Sequence, residues 1–485
     1  MRRKISDNLL NQIRELKPER YEQNDKDNGR LYADVYKDVL RFNATAKEWY
    51  FFDGKRWQQD TGGMIAEQKA KELSDALFVY AANIEDNSIR TEYIKHIARM
   101  GSRRTRKTMI DDSRDINFIV NKDLDRDLYL LNCQNGILNL KTFEFMEHSP
   151  NFLLSKIANV IYDPTASDAE WVKFINEVLQ RDKPKIEYVQ KLLGLSTTGC
   201  TSEESCYLFY GASTRNGKST LVETYSYMLG NTDGYSLNMK PETLAQKQNS
   251  DSRQTSGDIA RLDGCRFLNA SEPPKRMIFD VALLKTLLGR DSITARHLYQ
   301  SEFQFIPVFK LFINTNFLPL ITDDTLFSSG RLNVITFDKH FTPEEQDKGL
   351  KERLKKPENL SGLLNWCLTG LKKYYEEGAI PPKSVVTATE EYRANSDKVG
   401  NFISECLERS ECNSSVKEVY ARYVEWCQEN GFGAENKSNF TAELNSKGVI
   451  ASGKINGVSY KQVVRGYEVG KFNSVEVREN VPFLT

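Results

Sequence analysis

Histidine and cysteine are scarce in this 485-residue chain, with four of the first and eight of the second scattered and no C-x-x-C pair among them. Zinc ribbons, zinc fingers and disulfide frameworks are therefore excluded, and a reducing, cytoplasmic compartment is expected. Long apolar runs are also missing. No stretch approaches the roughly 18 apolar residues of a membrane-crossing helix, so no membrane partner is expected. The N-terminal MRRKISDNLLNQIRELKPER turns polar and helical where a signal peptide would be apolar. Excess charge of either sign is absent too, because 67 Lys+Arg balance 67 Asp+Glu. No global field draws such a molecule to nucleic acid, and any phosphate binding has to come from local patches. What is present is 39% hydrophobic and 28% charged residues. At about 150 residues per domain that is material for about three domains, each with its own core.

Along the chain, KEWYFFDGKRWQQD sets aromatic residues on both sides of Asp53-Gly54, a hairpin signal. A polar, amphipathic helical stretch follows from about Ile65 to Met100 and closes in the basic cluster Arg103, Arg104, Arg106 and Lys107. Such a cluster reads as a solvated helix face. DLYLLNCQNGILNL writes a second hairpin around Asn135-Gly136, and these pieces make an α+β accessory domain over residues 1–165. Ser167 and Glu170 stand in capping-box spacing before Trp171, Phe174, Ile175 and Val178, opening a new helical unit. From Cys206 to Phe337 short β-branched and aromatic runs alternate with helical segments, the α/β pattern of a central sheet with crossover helices. The core unit is read as residues 166–378. Pro381-Pro382 then suggests a linker over 379–400, and residues 401–485 form a last unit: a helix capped by Ser415, a second helix, and a hairpin around Asn456-Gly457. That is a winged-helix-like order.

The chemistry resides in CYLFYGASTRNGKSTLVETYSYMLG. An apolar strand feeds a small-residue loop, then Gly217-Lys218-Ser219, then a helix, as a phosphate-binding loop requires. Residues Gly211, Ala212, Ser213, Thr214, Arg215, Asn216, Gly217, Lys218, Ser219 and Thr220 would cradle the polyphosphate of ATP, with Lys218 on the β/γ-phosphates and Ser219 on Mg²⁺. Gly211 stands one position too far from Gly217 for the G-x-x-x-x-G-K-[ST] spacing, so Ala212 takes the first motif position. Hydrolysis also needs an acid and a polar γ-phosphate contact on neighbouring strands. CRFLNASE ends in Glu272, the candidate general base, and FKLFINTN ends in Asn316, the candidate γ-phosphate sensor. Arg331, before the apolar strand of GRLNVITF, can reach a neighbouring subunit's phosphate. The alternatives are an exposed strand-end acid, a turn former before Pro319, and a surface salt bridge.

YGASTRNGKST, LDGCRFLNASE, LLKTLLGRDSITARHLY, FKLFINTNFLP and GRLNVITF, in that order, resemble superfamily 3 helicases of the AAA+ class, in particular the helicase half of the phage/plasmid and poxvirus primase-helicase family. YFFDGKRW and LLNCQNGILNL look like that family's accessory N-terminal domain, and VYARYVEWCQENGF like its C-terminal module. The resemblance implies Lys218 and Ser219 as phosphate and Mg²⁺ ligands, Glu272 as the Walker B acid and a metal ligand, Asn316 as sensor 1 and Arg331 as the arginine finger. It also implies a pre-sensor hairpin in a hexamer's pore, with Lys285, Arg296 and His297 as DNA contacts, though a buried structural role suits Arg296 as well. Three departures stand out. Ser271-Glu272 replaces a pair of acids, so a second Mg²⁺ carboxylate has to come from Asp258 or be replaced by water. One arginine stands at 331 where relatives often have two. The resemblance starts near Trp49, leaving no room for a polymerase-primase domain, so no primase activity is expected of these residues.

The expectation is therefore an ATP- and Mg²⁺-dependent, ring-forming, homo-hexameric 3′→5′ DNA helicase for a phage, plasmid or other mobile element. A separate primase or loader is a possible partner. The alternative is a nucleotide-regulated origin-binding initiator without robust unwinding. For that reading speak Lys437, Lys447 and Lys454, with Asn439, Asn445, Lys461 and Arg465, on the last helix and hairpin. A third reading is a P-loop protein whose tail binds another protein.

Overall fold

The aromatic residues around Asp53-Gly54 build an antiparallel sheet of Leu40–Asn43, Glu48–Phe52 and Trp57–Asp60. The computed structural model describes residues 5–246, 257–275, 277–296, 302–321, 323–430 and 432–470. At the tip of the hairpin, the Asp53 carboxylate accepts from the amides of Lys55 (2.7 Å) and Arg56 (2.8 Å), and Gly54 supplies the positive φ of 100°. Helices Asp7–Leu16, Asp25–Val35, Met64–Ala81, Asn87–Met100 and Arg103–Asp112 pack Leu9, Ile13, Leu31, Leu73, Ile97 and Ile110 with Trp49 of the sheet into one core. The single helix expected over Ile65–Met100 is two. Asp86 breaks it by accepting from the amides of Ser88 and Ile89 and so starting a new helix.

The core boundary falls earlier than residue 165. Leu131, Leu138 and Val160, from the second hairpin and the strand-like segment after it, share a core with Phe174, Leu192, Phe209, Phe267 and Trp366. Arg266 reinforces that union. Buried and without a carboxylate partner, it donates to the carbonyls of Leu130 (2.9 Å) and Thr197 (2.8 Å), with its guanidinium 4.2 Å from the Tyr235 ring. The expected capping box at Ser167 is absent: Asp168 is the N-cap residue, and the Ser167 hydroxyl accepts from the Ala169 amide instead.

The central sheet has five parallel strands: β1 (Cys206–Tyr210), β2 (Ser236–Met239), β3 (Phe267–Ser271), β4 (Lys310–Thr315) and β5 (Leu332–Thr336), in spatial order β5-β1-β4-β3-β2. Strands β1 and β4 are buried nearly throughout, as expected where helices cover both faces of a parallel sheet. Against it lie α1 (Lys183–Ser196), α2 (Lys218–Leu229) and α3 (Pro357–Glu377). Helices α1 and α3 approach closely enough that a Cβ on Gly194 would lie 2.5 Å from both the Cys367 carbonyl and the Leu371 amide.

The expected linker over 379–400 is instead largely a helix, α4 (Lys383–Ser396), laid against β5. Val385 and Tyr392 are seven residues apart and both buried, and the Thr389 hydroxyl accepts from the Val334 amide at 2.9 Å. Pro382 precedes the helix as its N-cap residue, so the proline pair marks a helix start. The last unit runs Lys398–Cys406, Ser414–Ser415, Val416–Glu429, Lys437–Ser446, Ile450–Ile455 and Val458–Val464. Its sheet order sets Ser414–Ser415 beside Val458–Val464 and then Ile450–Ile455. Phe402, Tyr423 and Phe440 fill its core, the last two stacked at 4.3 Å. All eight cysteines are free thiols, and no helix among the described residues is long and apolar enough to cross a membrane.

Candidate active site

In a parallel sheet the loops at the carboxyl ends of the strands share one edge, and the candidate residues collect there. The loop Gly211–Gly217 leaves β1 and enters α2. Gly211 has no room for a side chain: a Cβ would meet the Phe337 carbonyl at 2.7 Å and the Lys218 ammonium at 2.9 Å. Gly217 takes a φ of 86°, and a Cβ there would collide with Val178. Arg215 also adopts a positive φ, 59°, which costs a non-glycine residue about 1–2 kcal/mol. Three braces hold this bent loop. The buried Asn216 amide donates to the Ser213 carbonyl (2.5 Å), the His340 Nδ1 donates to the Thr214 carbonyl (2.8 Å), and the Phe341 amide donates to the Arg215 carbonyl (3.0 Å). Ala212, Thr214, Arg215 and Ser219 remain exposed, Ser213 and Thr220 half-buried.

Lys218 is only 4% exposed. Its ammonium donates to the Gly211 carbonyl (3.2 Å) and to Asn316 Oδ1 (2.8 Å), both neutral. Burial pulls its pKa down to about 8, with the Glu272 carboxylate acting in the opposite direction. The loop lysine and the residue expected as sensor are thus in direct contact across the β1–β4 boundary. Glu272 follows β3, next to β4, and its amide donates to the Asn314 carbonyl at 2.8 Å. It holds a φ of 56°, a left-handed conformation that costs a Glu free energy and turns the chain sharply at the strand end.

Ser219 and Glu272 line one cavity of about 510 Å³ between α2 and the β2–β3 side of the sheet. Its wall is amide-rich. Asn269 donates to Asn238 (2.9 Å) and to the Ser271 hydroxyl (2.8 Å), while its own Oδ1 and the Ser226 hydroxyl are buried without partners. Buried polar atoms of that kind fit a hydrated ligand. Asp258 is exposed and does not line this cavity. The only sequence signal for the amide wall was an asparagine inside the apolar run CRFLNAS.

Arg331 is not part of this constellation. It precedes β5, whose first residue pairs with Cys206, so it sits at the opposite end of the strands from the loop. Its guanidinium pairs with Glu204 (2.7 Å), which also pairs with Arg290 (3.1 Å). Glu204 was not foreseen in the sequence. The hairpin between the third and fourth core strands is present, with Ile293–Ala295 antiparallel to Phe303–Phe305. Lys285 is tied to Asp323 (3.1 Å) and to the Thr325 hydroxyl. Arg296 is half-buried at the hairpin's first strand and engaged, and His297 lies outside the described residues. Lys447 is ion-paired with Asp397, whereas Lys437 and Lys454 are exposed without an ion pair among the described residues.

Comparison with known proteins follows the same order along the chain. Residues 29–180 match the model "D5 N terminal like", residues 209–331 a "Family of unknown function (DUF5906)", and residues 394–466 "Poxvirus D5 protein-like". The chain is similar to "Putative helicase L207/L206" of Acanthamoeba polyphaga mimivirus, 31% identical over 83% of this chain and 42% of that protein. It is also similar to "Putative helicase 121R" of Invertebrate iridescent virus 3, 24% identical over 64% of this chain and 36% of that protein. The chain thus spans less than half the length of these relatives. A solved structure described as "The apo structure of NrS-1 C terminal region (305-718)" covers 88% of this chain and 96% of its own at 10% identity and a TM-score of 0.44, too low to support a shared fold. The three successive matches fall in order along the chain, which thus has the D5-type architecture of the superfamily 3 primase-helicase family, with the strand–loop–helix of Lys218 on its five-stranded parallel sheet.

Proposed function

We propose that this chain is an ATP-driven DNA helicase that works as a ring of copies, translocates 3′→5′ and serves the replication of a viral or other mobile genome. The observation that carries the reading is the Lys218 ammonium, buried with hydrogen bonds to neutral oxygens only. Such a cation lacks the negative charge that a triphosphate supplies. Ser219 would hold Mg²⁺, whose charge would offset that building up on the transferred phosphoryl group. Glu272 orients and deprotonates the attacking water, Asn316 contacts the γ-phosphate, and residues Gly211 to Thr220 cradle the rest.

Arg331 supports the ring. Five strand residues at about 3.3 Å each separate it from the loop of its own chain, roughly 17 Å, so it can serve only a neighbouring copy's nucleotide. The names of the relatives point to the same activity. The helix–strand–helix–helix–hairpin order of the last unit is read as a winged helix, with exposed Lys437 and Lys454 as its DNA contacts. That unit is also what favours the second reading, an origin-binding initiator.

The test is strand displacement from a duplex with a 3′ single-stranded tail, comparing wild type with Lys218→Ala in ATP and Mg²⁺. Displacement by wild type alone is expected. Binding of DNA by both proteins with displacement by neither would move the function to the initiator.

A further inference from the structure

The described cations expected to contact DNA include two that are already neutralised, Lys285 by Asp323 and Lys447 by Asp397. A further group of cations, without ion pairs among the described residues, lies elsewhere. Between residues 95 and 107 stand Lys95, Arg99, Arg103, Arg104, Arg106 and Lys107 with no Asp or Glu among them, in a chain whose net charge is zero. They occupy the last turns of helix Asn87–Met100, the two-residue turn Gly101-Ser102, and the first turns of helix Arg103–Asp112. Met100, Met109 and Ile110 face the core, whereas Lys95, Arg99, Arg103, Arg104 and Lys107 are exposed.

None of those five has an ion-pair partner among the described residues. The acids nearest along these helices are not ion-paired with the cluster among the described residues: Asp86 caps the first helix, Glu92 lies one turn before Lys95, Asp111 pairs with Arg114, and Asp112 ends the second helix. Arg106 turns inward to the Gly101 carbonyl. The arrangement works against local stability. Lys95 and Arg99 on the first helix, and Arg103 and Lys107 on the second, are like-charge pairs four residues apart, each unfavourable by about 0.2–0.5 kcal/mol. Arg103 and Arg104 also oppose the helix dipole in a first turn. A surface that concentrates cations against both rules is complementary to a polyanion.

We propose that this corner, between helices Asn87–Met100 and Arg103–Asp112, docks the phosphate backbone of duplex DNA through Lys95, Arg99, Arg103, Arg104 and Lys107. Duplex is favoured over single strand because the cluster has no aromatic residue on which an unstacked base could lie: residues 94–108 contain none, and the preceding Tyr93 is buried. The contacts would be sequence-independent, since phosphates carry no base information. This inference rests on DNA being the partner but not on ATP hydrolysis or unwinding, which its test leaves aside.

The experiment measures fluorescence anisotropy of a labelled 30-base-pair duplex and of the corresponding single strand with the full chain over a series of NaCl concentrations. Wild type is compared with Arg103→Glu/Arg104→Glu/Lys107→Glu and with the matching triple alanine variant. Each phosphate contact contributes about 0.9 to the slope of log K against log salt, so the triple reversal is expected to flatten the duplex slope by about 3 and to weaken binding at least about tenfold. The alanine variant should flatten the slope similarly with a smaller loss, and it stands in if the reversal does not fold. The titrations contain no nucleotide, so a wild type that binds duplex in this way yet displaces no strand in the separate assay with ATP and Mg²⁺ would refute the helicase reading and leave this one standing. Unchanged affinity and slope in both triple variants would overturn the proposal, as would failure of wild type to bind duplex at low salt. Loss confined to the single strand would overturn the duplex assignment.

Discussion

Replacing Lys218 by methionine removes a charge while keeping nearly the same volume, and the structure fixes the size of the effect. The pKa of this lysine falls from 10.5 to about 8 because it is buried. At 1.36 kcal/mol per unit, holding it protonated at pH 7 costs the fold about 3 kcal/mol. Methionine removes that cost but leaves Gly211 O and Asn316 Oδ1 without their donor, at about 1 kcal/mol or more each. The variant should therefore be as stable as wild type at pH 7, or up to about 1 kcal/mol more so, where an ordinary core substitution destabilises. The pH dependence isolates the charge. A folded pKa below the unfolded one means that the unfolded chain binds more protons between about pH 8 and 10.5, so wild type gains stability as pH rises through that window. From pH 7 to 9.5 the recovery is about 2 kcal/mol, and the methionine variant lacks it. The assay is urea unfolding followed by the buried Trp171 and Trp366, whose rings lie 5.8 Å apart in the core against the parallel sheet. Buried Lys310, whose pKa is pulled down to about 7, contributes equally to both proteins and cancels. A wild-type-minus-variant difference that stays constant from pH 7 to 9.5 would show that Lys218 is not a desolvated cation.

Three further outcomes are expected. Glu272→Gln should keep nucleotide binding, read by filter retention of labelled ATP, and lose about 10²–10⁴ in hydrolysis rate, the range for a positioned general base. A mixture of inactive Lys218→Ala and inactive Arg331→Ala proteins should regain part of the wild-type ATPase rate, because each supplies the half-site the other lacks. A mixture as inactive as its components would put Arg331 outside the site. Gly194→Ala sets a methyl group 2.5 Å from two backbone atoms of the facing helix, and the forced separation of α1 and α3 should lower stability by about 1–3 kcal/mol in a urea melt.

The strand–loop–helix around Lys218 was legible because everything that shapes it is local. Strand, bend, glycine at φ 86° and helix start all fall within Cys206–Leu229. The hairpins at Asp53-Gly54, Asn135-Gly136 and Asn456-Gly457 were legible for the same reason: a turn and its flanking strands are encoded within a dozen residues. Boundaries were less so. Pro381-Pro382 carries the same letters whether it ends a structured segment or precedes a helix, and only the burial of Val385 and Tyr392 against β5 decides which. The core's extension back to Leu131 was equally hidden, because the second hairpin carries no mark of the sheet it joins 70 residues later.

Charge pairing was the least legible property, and it has the largest functional consequence. The sequence named no partner for the cations it singled out, and Lys285 meets Asp323 38 residues away, Lys447 meets Asp397 50 residues away, and Arg331 meets Glu204 127 residues away. Neutralised cations release few counterions on meeting DNA and add little to its binding. For Arg331 the same pairing has a different meaning. Glu204 shares its two oxygens between Arg331 and Arg290, and Arg290 lies three residues before the hairpin strand Ile293–Ala295. One carboxylate therefore joins the base of the hairpin to the residue that would reach a neighbour's nucleotide. A shift of the hairpin that draws Arg290 away leaves Glu204 to Arg331 alone, and a neighbouring triphosphate must compete with Glu204 for that guanidinium. Both arginines and the glutamate are partly solvent-exposed, so each bond is individually weak, on the order of 0–1 kcal/mol. Weak bonds suit the proposed role, in which Arg331 would leave Glu204 for a neighbour's nucleotide, because such a contact cannot cost more than the next one returns.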